Sequence, residues 1–500
     1  MIEYLKIKFF YGKNNIKYLL IFLFVLSFLL RICLINTNLF FGPEQGRDML
    51  VVRNIIENHK LVLIGSKTDI GGIFHGPIFY YLSVIPFLIS NGNPIVISIF
   101  FIFLNSLAIF PLYFLVKELF EKKTALIASV IFTFSFGSIV FARWLSNPPL
   151  TILLSGLLMW SFVKFLKGKD HFIFLTAIFF ILIGQVEFIN FLLFGVLLIL
   201  FGLVFRNRFI KLGFVKLFLT IGLGVIGSVL NYLVFDLRHN FLISKSIYSL
   251  FTKHSGFYGT FASSITASVS NFLKILTDTL APDFLLLAML VFIGGLLVLA
   301  RQIKSNKKSA FLMLIWVFSP FLIFFLLKYN PLYHYFAAYI LTIIIVCSLL
   351  IKYVLDKSKF LGILFLIGLV LINMISLSKN LPVNKNVFFQ STQEDLRYVD
   401  QMSVIDKIYK ISGSTQFFYQ SYTIPYWQQA GWQYLFWYFA NSNNKTIPTE
   451  KNYKELYVII QNDPRNTYYQ QQWLKNTVFK WGIKVGEFKF GALKVLELKV

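Results

Sequence analysis

The chain has 500 residues, 57% of them hydrophobic and 59 of them Phe, and its mean hydropathy is +0.71. That composition excludes an ordinary water-soluble domain. The formal net charge of +25 does not point to nucleic acid, because the Lys and Arg residues fall in short clusters between apolar runs. That pattern sets membrane topology and favours anionic lipid.

A hydrocarbon core ~30 Å thick takes roughly 20 apolar residues per helix. Runs of this kind recur at 18–35, 95–116, 124–141, 150–166, 171–186, 188–205, 214–235, 283–300, 310–328, 337–351 and 360–378, and predict eleven transmembrane helices. The first run has a basic flank, as a signal peptide does, but no small-residue cleavage site follows it, so it reads as a retained helix. Lys6, Lys8, Lys13 and Lys17 precede it. Alternate connections are then basic: Lys117, Lys122 and Lys123; Lys164, Lys167 and Lys169; Arg206, Arg208, Lys211 and Lys216; Arg301, Lys304, Lys307 and Lys308; Lys352, Lys357 and Lys359. Short positive loops resist translocation, so these connections and the N-terminus are expected in the cytoplasm, within a plasma (inner) membrane. An odd helix count places residues 379–500 outside. Cys33 and Cys347 fall in predicted spans and suggest neither a disulfide framework nor a metal cluster.

Two outside segments exceed simple connectors. In 36–94, which carries Glu44, Asp48, Glu57 and Asp69, the spacing of Met49, Val52, Ile55 and Ile56 predicts an amphipathic helix over 47–58. A second helix is expected after Pro77, where proline suits a first turn. The other long segment is 236–282. After 379 the apolar runs stop, and five of the eight Trp follow (Trp427, Trp432, Trp437, Trp473 and Trp481). There YVII at 457–460 and the alternation in FKFGALKVLELKV predict strands, with a helix over 464–476. No internal repeat of fixed period is visible. The expected architecture is an all-α polytopic membrane protein (1–378, with amphipathic helices in the first outside loop 36–94) bearing a small extracytoplasmic α/β domain (379–500).

Chemistry is expected where charge persists despite its cost in a membrane. Arg31 lies at the outer end of the first helix, where it either snorkels to the interface or serves a site. Glu44 and Asp48, four apart, share a face if helical, although acids are also favoured at a helix N-terminus for local reasons. Arg143 and Asn147 occupy one outside turn; Gln185, Glu187 and Asn190 occupy the next, and Glu187 is hard to place among apolar neighbours unless it packs between helices or faces an aqueous cavity. Asp236, Arg238 and His239 sit where the seventh helix emerges, and His334, flanked by Tyr333 and Tyr335, precedes the tenth. Each has a bland reading as a cap or interface anchor. Together they bring acids, arginines and histidines to one membrane face from five separate turns.

A first helix ending at Arg31, an early acidic motif GPEQGRDM, and then HGPIFYYL resemble the GT-C glycosyltransferases. The likeness is nearer to family 39, with its protein O-mannosyltransferases, aminoarabinose transferases and bacterial RgtA/B/C/D-type enzymes. It extends through Arg143-Trp144-Leu145-Ser146-Asn147-Pro148 and Tyr333-His334-Tyr335-Phe336, about residues 18–378. In that family the first loop carries an Asp-Glu pair and later a His/Lys-Pro-Pro-Leu segment. Here these are Glu44-Gln45 and His75-Gly76-Pro77-Ile78, so the resemblance keeps the first acid with a longer reach and replaces the second with an amide.

The resemblance implies a sugar transferred from a polyprenyl-phosphate donor to a hydroxyl on a glycan, lipid or protein, at the extracytoplasmic face and with inversion. It implies Glu44 as general base with Asp48 as the substitute, and Arg31, Arg143 and Arg238 as cations for the leaving phosphate. His75, Asn147, Glu187, Asp236, His239, His334 and Tyr335 would line the substrate site. Some relatives bind a divalent metal; Glu44, Asp48 and His75 are the ligands available, but nothing in their spacing demands one. A transporter or flippase would instead show paired repeats and ionisable groups near the midplane. A lipid-linked glycan polymerase or ligase would lean on a late outside loop, and a scaffold would leave Glu44 and Arg238 freely replaceable.

Overall fold

Each of the eleven apolar runs falls on helical segments in the computed structural model, which describes residues 13–252, 259–381 and 396–500. Lys6 and Lys8, and the stretches 253–258 and 382–395 of the expected outside segments, lie outside the described residues. Among the described residues, six helices are long and apolar enough to cross a bilayer: Asn15–Asn38, Pro94–Leu119, Phe214–Arg238, Lys307–Leu327, Tyr333–Lys357 and Lys359–Asn380. Three bent pairs raise this to nine if each is one span. Leu150–Leu166 and Phe172–Val186 are apolar but shorter. Large apolar side chains remain exposed along the spans, as on Phe214–Arg238 (Phe218, Ile226, Leu230). Lipid satisfies such a surface and water does not. The protein is a multi-pass membrane protein.

The connections segregate as the charge pattern predicts. Lys167 Nζ lies 2.8 Å from Glu118, Lys352 Nζ 2.6 Å from Glu121, Arg208 pairs with Asp170, and Asn306 donates to the Leu119 carbonyl. These contacts gather the basic loops at one end of the helices. At the other end, Phe188 N–H donates to His75 Nδ1 (3.3 Å), and Glu187 lies 3.6 Å from His334.

Polar residues hold the breaks inside the spans. Lys122–Phe134 and Phe136–Ala142 meet at 58°. At that break Asn373 accepts the Phe136 N–H (2.8 Å), and Ser135 donates to the Thr279 carbonyl. Backbone groups freed in a membrane must find such partners. The expected outside loop 236–282 is also mostly helical: Leu242–Thr252, then Phe261–Leu280, which turns 90° into Leu285–Arg301. Phe272, Ile275 and Leu276 recur at helical spacing and are buried, a pattern obscured in sequence by the Ser and Thr residues around it.

In the C-terminal part, β1 (Phe417–Tyr422), β2 (Glu455–Gln461), β3 (Ile483–Phe490) and β4 (Leu493–Lys499) form a sheet in the order β1-β2-β4-β3. β1 and β2 are parallel, as their crossover through helix Ala430–Ser442 requires; the other pairs are antiparallel. β2, β3, β4 and helix Thr467–Asn476 match expectation; β1 and the helices Tyr398–Ser412 and Ala430–Ser442 do not appear in the sequence reading. Helix Ala430–Ser442 crosses helix Pro43–Asn58. Gly46 makes the crossing possible, since a Cβ there would sit 2.4 Å from the backbone of Ala430 and Gly431. Phe41 stacks on Tyr434, and Arg53 lies over Trp437 at 4.5 Å. The C-terminal part is thereby packed against the helix that carries Glu44.

Candidate active site

Helix Pro43–Asn58 begins with proline in its first turn and Gly42 as N-cap, an arrangement that leaves no steric conflict and no lost hydrogen bond. It starts four residues earlier than the apolar spacing predicts, so Glu44, Arg47 and Asp48 occupy its first two turns on one side. Gln45 is almost fully buried: its Oε1 accepts the Gly42 N–H (3.0 Å), and its amide donates to the Leu145 carbonyl (3.1 Å). A carboxylate could not make the second bond. The acid-to-amide change at this position therefore has a structural reason.

Asp48 is buried and accepts from Arg47 Nε (2.9 Å) and the Tyr80 hydroxyl (3.1 Å). Burial pushes its carboxyl up, against the pull of Arg47 and the Tyr80 hydrogen bond. In the other direction, Asp48 helps hold the Arg47 guanidinium firmly charged, although burial opposes it. Glu44 differs. Water reaches it, and it makes no hydrogen bond or ion pair with another described residue, yet protein surrounds it closely. Burial raises its carboxyl above the usual range; Arg47 opposes the rise, while Asp48 and Asp69 add to it.

Asp69 sits at the tip of a tight turn fastened by Gly65 N–H to His75 O (2.7 Å) and His75 N–H to Ser66 O (2.9 Å). It accepts from the Tyr335 hydroxyl (2.7 Å). Burial, with the neighbouring His334 and Arg47, pushes the His75 imidazole pKa down to about 3, which favours its neutral form. Its Nδ1 faces the Phe188 N–H. Gly76 allows the close approach here, because a Cβ would lie 2.7 Å from the Gln185 backbone oxygen. Beyond it, His334 rests edge-on against Trp144 (5.7 Å) and faces buried Glu187, whose Oε1 has no hydrogen-bond partner. Asn147 is buried too; its amide reaches Ser66 Oγ (3.3 Å), and its Oδ1 is unpartnered. Glu44, Asp48, His75, Asn147, Glu187, His334 and Tyr335 thus come together with Arg47, Asp69 and Tyr80.

Several candidates have other roles. Arg31 is fully buried and its guanidinium is occupied: it donates to Asn105 Oδ1 (3.4 Å), the Ser27 carbonyl (3.0 Å) and hydroxyl, the Phe132 carbonyl (3.3 Å) and Ser138 Oγ (2.7 Å). It also lies over the Phe132 ring at 4.6 Å. Arg143 donates to the carbonyls of Arg31 and Cys33 (2.7 Å each) and to Asn38. Both arginines satisfy the carbonyl ends of helices, where the helix dipole favours cations, and their guanidinium groups are engaged there. Asp236 caps helix Leu242–Thr252 by accepting from Ile243 N (2.6 Å) and from the backbone and hydroxyl of Ser244. His239 bonds the Phe235 carbonyl (2.8 Å) and stacks on that ring. Arg238 is exposed and unpaired among the described residues, one turn from Phe235, which contacts Phe74 beside His75. Glu44, Asp48 and His75 share the site without forming a metal cage: among the described residues no group of three His, Cys, Asp or Glu is placed to hold a metal ion, and Asp48 accepts from Arg47 and Tyr80.

Arg47, Asp69 and Tyr80 were missed as site residues. Arg47 carried a signal, being a cation on the face where topology needs none and three residues from Glu44. Asp69 and Tyr80 had none, since a turn and an apolar helix explain them locally.

No family model and no curated protein matches the sequence. The structure is similar to that of ArnT from Cupriavidus metallidurans in the apo state (TM-score 0.62, 11% identity, covering 95% of this chain and 97% of that one). It is equally similar to ArnT bound to undecaprenyl phosphate (TM-score 0.62, 10% identity, 97% and 98% covered). It is also similar to the archaeal oligosaccharyltransferase AglB from Archaeoglobus fulgidus in complex with an inhibitory peptide and a dolichol-phosphate (TM-score 0.52, 15% identity, 93% and 71% covered). At such identities the likeness is one of fold. Over nearly its whole length, C-terminal α/β part included, the chain has the fold seen in ArnT.

Proposed function

We propose that the protein transfers a sugar from a polyprenyl-phosphate donor to an acceptor hydroxyl, at the membrane face opposite its basic loops. The observation that carries this reading is Glu44: an accessible, unpaired carboxylate with a raised pKa, three residues from Arg47 and encircled by polar groups from four other parts of the chain. A raised carboxyl suits a general base. Glu44 takes the acceptor's proton, the acceptor oxygen attacks the anomeric carbon, and the carbon–phosphate oxygen bond breaks with its electron pair leaving on the phosphate. One displacement inverts the centre. Arg47, oriented by Asp48, and Arg238 receive the leaving phosphate. The lipid phosphates bound by ArnT and AglB support this choice of donor. The acceptor is a hydroxyl-bearing glycan, lipid or protein.

Arg47→Ala is expected to weaken donor binding by about 2–5 kcal/mol, and Arg47→Lys by less, because it keeps the charge without the fork. Arg238→Ala should weaken binding more than Lys245→Ala. Binding of polyprenyl phosphate to the purified variants measures this. Unchanged affinity in Arg47→Ala would remove Arg47 from the site, and equal effects of the other two would leave Arg238 as an interface anchor.

With the basic face cytoplasmic, a cysteine placed at exposed Asn58 or Asn443 should react with an impermeant reagent outside the cell, and one at Ser305 should not. Labelling at Ser305 from outside would invert the proposed topology.

A further inference from the structure

A groove of about 920 Å³ runs between the helices Phe172–Val186, Phe188–Val204 and Phe214–Arg238, in the half of the membrane nearer the basic loops. Its floor is the short helix Arg206–Leu212, bent 89° from Phe188–Val204 and so directed along the membrane plane. Glycines keep it open: a Cβ at Gly195 would only touch the Phe180 ring at 3.7 Å, and one at Gly202 would meet nothing within 4 Å. Thr176 and Thr220 line it, but each hydroxyl donates to a carbonyl of its own helix (2.9 and 2.8 Å). Arg206 lines it as well, exposed and with no ion pair among the described residues. Its neighbour Arg208, by contrast, is tied to Asp170 and to the Phe165 carbonyl.

A long apolar wall ending at one unpaired cation fits a long apolar body with one anionic end. We infer that the groove holds an anionic phospholipid of the leaflet on the basic side, its acyl chains between the helices and its headgroup on Arg206. The polyprenyl donor has the same charge pattern but is not the occupant, because its phosphate belongs at the opposite face in the reading above, on which this inference rests.

The test is retention of lipid by the full chain, taken from nanodiscs of mixed phosphatidylglycerol and phosphatidylcholine and counted by native mass spectrometry. The wild type should keep one phosphatidylglycerol in preference to phosphatidylcholine. Arg206→Gln should reduce that preference about fivefold, while Lys304→Gln, on the same face but away from the groove, should not. Gly195→Phe and Gly202→Phe, two independent fillings checked for unchanged helix content, should lose the retained lipid of either type. An undiminished preference in Arg206→Gln, wild-type retention in both glycine variants, or one-for-one displacement by polyprenyl phosphate would overturn the inference. Because the assay follows lipid and not sugar, its failure would leave the transfer reaction standing.

Discussion

Glu44→Gln is expected to lower sugar transfer by about 10²–10⁴-fold, while donor binding and expression stay at wild-type levels. Gln keeps the shape and loses the base. Glu44→Asp, the residue type usual in the family it resembles, should retain substantial activity if neighbours absorb one methylene. The pH profile carries a sign. The base acts deprotonated, so the rate falls as pH drops through a pKa that burial, Asp48 and Asp69 hold above the ordinary carboxylate range. Asp69→Asn removes one raising charge and should move the acid limb to lower pH; its amide oxygen can still accept from Tyr335. Should Glu44→Gln turn over normally while Asp48→Asn is dead, the base is Asp48. Full activity in both would refute a carboxylate base on this helix.

Arg31→Met should destabilise the fold by about 2–4 kcal/mol, because it deletes charged hydrogen bonds and leaves buried acceptors on Asn105 and Phe132 without a donor. No described acid neutralises Arg31. Its charge is met by the Phe132 carbonyl at the end of helix Lys122–Phe134, by the Ser27 carbonyl and by the Phe132 ring. Loss of folded yield and a lowered melting temperature in detergent, with donor affinity per folded molecule unchanged, is the expected outcome. A stable variant with weakened donor affinity would return Arg31 to the phosphate site.

The helices were legible because bilayer thickness imposes long apolar runs, and the basic loops labelled their ends. Asn373 and Ser135 show what was not legible: the bends depend on side chains that reach backbone groups over a hundred residues away. In the C-terminal part, β2 was visible as YVII, but FFYQSY is aromatic and lacks an aliphatic alternation. AGWQYLFWYFANS is apolar nearly all round, with no periodic face to mark it as a helix. Among the candidates, Glu187 stood out because an ionisable group in an apolar turn needs a reason, Glu44 and Asp48 by their spacing, His334 by its place between tyrosines at the membrane face, and His75 only through the resemblance of HGPI. Arg31 shows the limit of the same logic, since sequence cannot distinguish a cation awaiting a phosphate from one that already donates to carbonyls.

The most direct measurement is release of polyprenyl phosphate from a polyprenyl-phosphate sugar by the purified protein, supplied with acceptor-rich envelope extract. Release with the wild type, an inverted anomeric centre in the product, and near-background release with Glu44→Gln are the expected results. Equal release by wild type and Glu44→Gln, or a product with retained configuration, would contradict a single displacement driven by this carboxylate.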